Sequence, residues 1–504
     1  MIVRQQIMKV LRSHANRLGR WSLGMGIALA FGCDSGSDTG SSGPASTDSD
    51  IFVARSMDAG VTWSAQAALN VDADANLGSD AEPQLTTDGQ GAWVTVWRSS
   101  SFFVPTRTDY DILVARSADD GATWVGQAEL NSYADSDADG DYAPQLTTDG
   151  QGNWVATWQS WHSLGGTLGT DADILMARST DDGVTWTDAA ALNTNAASDT
   201  GDDALPQLTT DGQGLWIAVW RSKDSLGDTI GGVDFDILLA RSTDAGVTWT
   251  DPAPLNTNAA SDECEVDDET GEVQRCDDDE RPQLTTDGAG TWVAVWEYWG
   301  PCTSWPPIAS CRFELDLRVS HSTDGGATWS PPAALNTNAA SDDSDDNAPQ
   351  VTHGLVGVGG QPTWVATWWQ SKDWDSSAPL GPDADILVAR STDGGVTWTD
   401  PAALNTNAAT DGNGVHDTWP QLTTDGQGSW VAVWQSSNSL GDTIGTDFDI
   451  LLARSTDGGV TWTDPAVLNT SAASDTRSDE DVLPQLTTDG QGIWMAVWQS
   501  GNPL

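Results

Sequence analysis

From about residue 50 onward, apolar and polar positions alternate with a period of two, and no segment there carries the period of a helix. The stretch Trp-Val-Ala-Val-Trp at 292–296 is typical. Trp292, Ala294 and Trp296 fall on one face of a strand, and Val293 and Val295 on the other. Both faces are apolar, which predicts a strand buried on both sides. Before it runs Pro-Gln-Leu-Thr-Thr (282–286), a half-polar strand stopped by the Asp287-Gly288 turn. Runs such as Asp-Ile-Leu-Leu-Ala-Arg-Ser (449–455) give a third strand. After the tight turn Ser-Thr-Asp-Gly-Gly, the segment from Val460 to Asn469 gives a fourth.

This four-strand unit is written seven times. The third-to-fourth-strand turn ends in a Trp at 63, 124, 186, 249, 329, 398 and 462, at intervals of 61 to 80 residues. The second strand carries a Trp pair four apart, from Trp93/Trp97 to Trp494/Trp498. Such repetition of short strands predicts an all-β, seven-bladed β-propeller of four-stranded blades. The chain enters on a third and fourth strand (50–70) and leaves on a first and second (484–498). The N-terminal and C-terminal half-blades therefore pair into the seventh blade and close the ring. An open β-solenoid is the alternative, but it has no use for complementary half-units at its ends.

Composition adds where the protein works. The 504 residues hold 74 Asp and Glu against 21 Lys and Arg, a formal charge of −53. Five cations, Arg4, Lys9, Arg12, Arg17 and Arg20, precede the first acid, Asp34; without them the balance is −58. Such a surface excludes nucleic acid and disfavours anionic membranes, while divalent cations suit it. Residues 21–32 are mostly apolar, too few for a bilayer span but enough for a signal-peptide core, and Cys33 and a Ser/Gly/Asp tether (34–49) follow. The leader resembles a bacterial lipoprotein signal, although Ala30 and Phe31 depart from the usual residues. The resemblance implies lipidation at Cys33, export, and attachment at the outer membrane or cell surface through the lipid alone; otherwise the protein is secreted. Expected domains are thus 1–33, 34–49 and a propeller at 50–504, expected to be a monomer. Cys264, Cys276, Cys302 and Cys311 form an even set, as in an oxidising compartment. Three connectivities are open. The local pairs 264–276 and 302–311 are favoured because each closes a loop within one repeat; the spacings do not match the CxxC kind of zinc site.

The octapeptide Ser56-Met57-Asp58-Ala59-Gly60-Val61-Thr62-Trp63 and its six copies resemble the Asp-box, or BNR repeat, of sialidase-like propellers, a likeness that covers roughly 50–500. Its acids are Asp58, Asp119, Asp181, Asp244, Asp324, Asp393 and Asp457. The resemblance implies a structural turn at the blade periphery, away from any active site. It further implies, for sialidase chemistry, three substrate-binding arginines, a Tyr nucleophile paired with Glu, and an Asp acid/base. Here the residues before the first-strand proline are Glu82, Ala143, Leu205, Arg281, Ala348, Trp419 and Leu483, so only Arg281-Pro282 approaches the family's Arg-Ile-Pro. The weak catalytic candidates are Glu297, Tyr298 and Arg281, in the repeat that departs most from the others. The repeated Asp and Arg of the third strand, present in nearly every blade, read as structural.

Loops leading into each first strand are rich in Asp and share one face with the second-to-third-strand loops. Asp135, Asp137, Asp139 and Asp141, with Gly140, match the first half of an EF-hand-type calcium loop, although Leu146 stands at the twelfth position. Calcium is therefore an expected cofactor. The resulting expectation is a binding or scaffolding module for a glycan or an exported protein. The alternative is a glycoside hydrolase of sialidase-like type.

Overall fold

The computed structural model describes residues 49–501 apart from 71–72, 74–77, 101–108, 135–138, 228, 231–233, 261–263, 267–272, 301–314, 340–343, 356–360, 373–382, 413 and 475–479; of 264–266, 273–276 and 372 it describes the backbone only. The leader with Cys33, the tether, and Asp135, Asp137, Cys302 and Cys311 lie outside the described residues. Cys264 and Cys276 stand directly opposite each other in a two-stranded hairpin.

Seven four-stranded sheets make the ring. Blade 1 comprises Asp80–Thr87, Trp93–Ser100, Tyr110–Ser117 and Val125–Glu129. Blades 2 to 6 follow at 141–191, 203–254, 278–334, 344–403 and 417–467. Blade 7 is built from both ends of the propeller: Asp50–Ser56 pairs antiparallel with Trp494–Ser500, with Phe52 opposite Trp498 and Ser56 opposite Trp494. The innermost strand of each blade touches that of the next, and Asp481–Thr488 meets Asp80–Thr87, so the circle is complete. No α-helix occurs among the described residues.

The two apolar faces of the second strand explain how blades stack. Trp154, Ala156 and Trp158 of blade 2 pack against Val94 and Val96 of blade 1. Trp430 and Trp434 pack on Val365, and Trp494 and Trp498 on Val431 and Val433. Blade 1 closes the series, its Trp93 and Trp97 lying against Met495 and Val497 of blade 7. Each such Val is buried from water on both sides of its sheet and contributes about 1.5–3 kcal/mol.

The Asp-box supplies a second contact between blades. Within the turn, Ser56 Oγ donates to Asp58 Oδ1 at 2.8 Å, while Thr62 donates its amide to Oδ1 at 2.8 Å and its hydroxyl to Oδ2 at 2.7 Å. Gly60 takes φ 73°, and its backbone lies so close to Val431 of blade 6 that a Cβ there would sit 3.0 Å from Cγ2. The repeated third-strand arginine completes the joint. Arg454 Nε donates to the Ala59 carbonyl at 3.1 Å, Arg178 to Ala245 at 2.8 Å, and Arg116 to Asp182 at 2.6 Å, each reaching the next blade's Asp-box. The Asp-box is thus a local turn, as the resemblance implies, and also the seat of an interblade clamp.

A third layer caps the junction. Asn405, after the last strand of blade 5, donates to Asp385 Oδ1 at 2.9 Å and to Asp417 Oδ2 at 2.7 Å, where blade 6 begins. Trp434 Nε1 donates to the other oxygen of Asp417 at 3.0 Å. The Asn–Asp–Asp bridge recurs at all seven junctions, for example through Asn70, Asn193 and Asn469.

Hydrogen bonds from Thr62, then Ser56, hold the Asp58 carboxyl at about 2, and the equivalent bonds hold Asp119, Asp244 and Asp324 at about 2. A carboxyl whose folded pKa is depressed contributes stability that is present above its unfolded value of 3.8 and lost as pH falls toward the folded value. Thermal melts should therefore show the melting temperature falling between pH 4 and pH 2, and Asp58→Asn should shallow that slope. A melting temperature that is flat over this range would contradict the assigned role.

Candidate functional site at the mouth of the ring

Every first strand is eight residues or longer, not the five of Pro-Gln-Leu-Thr-Thr, because a bulge lets it continue toward the acidic loops. The register breaks in each blade at the residue before the proline, as between Ala81 and Gln84 or between Glu280 and Gln283. That residue, Glu82, Ala143, Leu205, Arg281, Ala348, Trp419 or Leu483, adopts φ between 48° and 54° without being glycine. Left-handed backbone at a non-glycine residue is strained and persists only where its surroundings enforce it. All seven lie near the start of the innermost strand, so they occupy one end of the ring beside its axis. There Arg281 of blade 4 lies 5.4 Å from the ring of Trp419 of blade 6.

The enforcing contacts are visible. The amide of Ala143 donates to Glu82 at 3.0 Å, that of Ala348 to Glu297 at 2.7 Å, and that of Leu483 to Gln435 at 3.0 Å. In each case a side chain of one blade satisfies the bulge of the next. Charges meet at the same level. Arg98 pairs with Glu82 at 3.2 Å, Arg281 with Glu297 at 2.9 Å, and Arg221 with Glu280. Burial pushes the Glu280 carboxyl up against the pull of Arg221 and Arg281.

Aromatic rings lie beside these cations. The Arg98 guanidinium sits 4.3 Å from the ring centre of Tyr110 and 5.4 Å from that of Tyr142. Tyr142 meets the exposed Trp161 edge-on at 5.6 Å. Arg221 and Lys223 both lie 4.3 Å from Phe235, and Arg318 lies 4.1 Å from Tyr298. Arg98, Tyr142, Trp161, Arg221, Phe235 and Trp419 form part of this site, while Arg318 follows Tyr298 to the other face of its sheet; none was singled out as a candidate from sequence. For Tyr142 and Trp419 the signal is departure from the repeat at or beside the bulge, and for Arg98, Arg221 and Trp161 just beyond the second Trp; Phe235 and Arg318, beside and within a third strand, carry neither.

Among the sequence candidates, Arg281 and Glu297 come together and Tyr298 points elsewhere. Glu297 is 1% exposed, and its oxygens are taken by Arg281 and the Ala348 amide. Tyr298 follows it on a strand and so faces the opposite side. Its hydroxyl donates to Asp277 Oδ2 at 3.0 Å, and burial, with the Asp277 carboxylate next, pushes the phenol up. A phenol harder to ionise is a weaker nucleophile.

The described half of the EF-hand-like loop is divided. Asp139 is exposed, its Oδ2 3.8 Å from His162 Nδ1. Asp141 is fully buried and accepts hydrogen bonds from Asn131 at 2.7 Å and Tyr133 at 3.0 Å. Two other groups of carboxylates are close enough to share a metal ion: Asp171, Asp173 and Asp199 between blades 2 and 3, and Asp385, Asp411 and Asp417 between blades 5 and 6. Sequence reading placed cation binding on the acidic face but missed these residues, because their members are separated by up to 32 residues.

No protein-family model and no curated protein matches the chain. Solved structures resemble it at low identity. An alpha-L-arabinanase of Penicillium chrysogenum complexed with arabinobiose is 16% identical over 77% of this chain and 94% of its own, with a TM-score of 0.43. A Hadza microbial sialidase is 16% identical over 77% and 66%, with a TM-score of 0.41. A polysaccharide lyase described as an ulvan lyase is 12% identical over 82% and 86%, with a TM-score of 0.49. The seven-bladed assignment rests on the strand pairing of this chain itself.

Proposed function

We propose that this chain is an exported carbohydrate-binding propeller, tethered to the cell surface through a lipidated Cys33, with its ligand seated at the aromatic mouth of the ring. One observation carries the reading. Outside the repeated third-strand arginine, the described cationic side chains are Arg98, Arg221, Lys223, Arg281 and Arg318, each against an aromatic ring, and all but Arg318, which follows Tyr298 to the other face of its sheet, belong to the mouth. Aromatic faces with a few fixed hydrogen-bonding groups are the chemistry that orients a sugar. Three of these cations already face Glu82, Glu280 and Glu297, and the surrounding loops are acidic, so a neutral glycan fits better than an anionic one. Export also places the acidic face where calcium is plentiful, which suits its all-oxygen clusters. Binding is favoured over hydrolysis because Glu297 is engaged on both oxygens and Tyr298 is held protonated against Asp277.

A glycan array and a panel of fluorogenic glycosides separate the two activities. Saturable binding without turnover is expected, and Tyr142→Ala with Trp161→Ala should weaken it at least tenfold, about 1.4 kcal/mol. Binding that ignores both substitutions would remove the site from the mouth. Glu297→Gln should lower stability by about 1–3 kcal/mol, since it disturbs a buried acceptor. Turnover that vanishes in that variant at unchanged melting temperature would make the protein a hydrolase instead.

Mass spectrometry of the mature protein should find an acylated Cys33 at the N-terminus. An unmodified N-terminus at another residue would reduce the anchor to simple secretion.

A further inference from the structure

We propose that calcium ions are built into the blade junctions: one between blades 5 and 6, held by Asp383, Asp385, Asp411, Asp417 and the Asn407 side-chain carbonyl, and a second at the matching place between blades 2 and 3. The proposal deepens the calcium reading above by giving the ion a place.

Carboxylate oxygens of Asp385, Asp411 and Asp417 lie within 4.8 Å of one another. That is about twice a calcium–oxygen bond of 2.3–2.6 Å, so one ion can reach all three. The three come from different segments: the third strand of blade 5, the loop after its last strand, and the first strand of blade 6. Proximity of acids alone would be unremarkable on so acidic a chain. A separate observation concerns a fourth acid. Asp383 is only 5% exposed, and its Oδ1 has no hydrogen-bond partner. It stands two residues before Asp385 at the entry to the Ala384–Ser391 strand, and so on the same face as that ligand. Asn407 Oδ1 and Asp411 Oδ1 are likewise enclosed and without a partner. Burying such oxygens unsatisfied is costly, and a cation removes the cost.

The remaining contacts orient these ligands. Asn405 holds Asp385 and Asp417 through one amide, and Trp434 fixes Asp417 from behind. The Asn407 and Asn438 amides both reach Asp411 Oδ2 at 3.3 Å, leaving Oδ1 for the ion. Such outer hydrogen bonds are what set metal-ligating carboxylates in place. Among the described residues no Lys or Arg forms an ion pair with any of these acids; the nearby base is His416, which acts on Asp383. Burial, then mutual repulsion, pushes Asp385 up to about 8 and Asp411 to about 7.

The second site repeats the first in sequence and in space. Asp171-Ala172-Asp173 matches Asp383-Ala384-Asp385, and Asn193-Thr-Asn195-Ala-Ala-Ser-Asp199 matches Asn405-Thr-Asn407-Ala-Ala-Thr-Asp411. Oxygens of Asp171, Asp173 and Asp199 converge within the same 4.8 Å, and Asp171 Oδ2 and Asn195 Oδ1 are again enclosed without partners. An all-oxygen donor set excludes a soft metal. Several protein ligands from separate segments suit the flexible six to eight coordination of calcium better than magnesium, which keeps its waters.

The experiment uses the full chain, stripped with a chelator and dialysed into 0.15 M NaCl. Equilibrium dialysis with radioactive calcium should find at least two tightly held ions per chain, and calcium should raise the melting temperature while NaCl of equal ionic strength does not. Asp383→Asn with Asp411→Asn should remove one ion, Asp171→Asn with Asp199→Asn the other, and the fourfold variant both. Asp139→Ala, in the exposed loop, should leave the number unchanged. Terbium luminescence excited through tryptophan and quenched by calcium provides a readout on the unsubstituted protein, should a variant fail to fold. Stoichiometry unchanged by the Asn substitutions, no calcium-specific melting shift, or no calcium-sensitive terbium signal would each overturn the proposal. Glycan binding is measured separately, so it can persist if the metal sites fail and can fail if they stand.

Discussion

Everything in this ring depends on one strand having two apolar faces. Trp on one side and Val on the other mean that no blade can satisfy its own second strand. The Trp face needs the preceding blade's Val face, and the Val face needs the following blade's Trp face. Such a dependency has no natural end unless the last blade meets the first. The half-blades at the two ends of the propeller solve that problem by sharing a sheet, and the Met495 and Val497 face of blade 7 then receives Trp93 and Trp97. The polar contacts are arranged around this apolar seam. The arginine clamps sit at one end of the strands and the Asn–Asp bridges at the other, so a junction that carries both, such as that between blades 2 and 3, is held at three levels along the strand direction.

The legible part of this architecture was whatever is periodic within a unit. Period-two alternation, the Asp-Gly turns and the phase of the repeat needed no knowledge of neighbours. What stayed hidden was contact between units. Arg454 reads as a conserved-looking end to a strand, yet its partner is the Ala59 carbonyl, which belongs to the other end of the propeller sequence. The bulge was equally opaque, since nothing about Ala143-Pro144 announces a left-handed residue held by Glu82 of the preceding blade. Glu297 and Tyr298 illustrate a different loss. They are adjacent in sequence, but adjacency on a strand separates their side chains, and Tyr298 finds Asp277 where a sialidase-like reading would have given it a glutamate.

Acidic side chains sit in two opposite settings in this molecule. Asp203 and Asp417 are buried almost completely, and burial, as the leading cause, raises the first well above its ordinary value and the second to about 6. The Asp-box acids behave in the opposite way, exposed and held ionised by hydroxyl and amide donors. One residue type thus serves as a turn-former at one end of the blade and as a sequestered bridge at the other. The difference lies in how many donors point at it and how much water remains.

The seven bulge residues have a consequence for how such a molecule can change over generations. Duplication of a blade copies the seam, the clamp and the bridge together, and every copy here keeps the seam and the bridge. The residue before the proline is less constrained. Its backbone is fixed by the register break, while its side chain is Glu, Ala, Leu, Arg, Ala, Trp and Leu in turn around the circle. At Ala143, Leu205, Ala348 and Leu483 a mutation alters the lining of the opening without breaking an ion pair, whereas Glu82 and Arg281 are tied to Arg98 and Glu297. At those four positions a lineage could therefore remodel the opening while leaving its folding problem untouched.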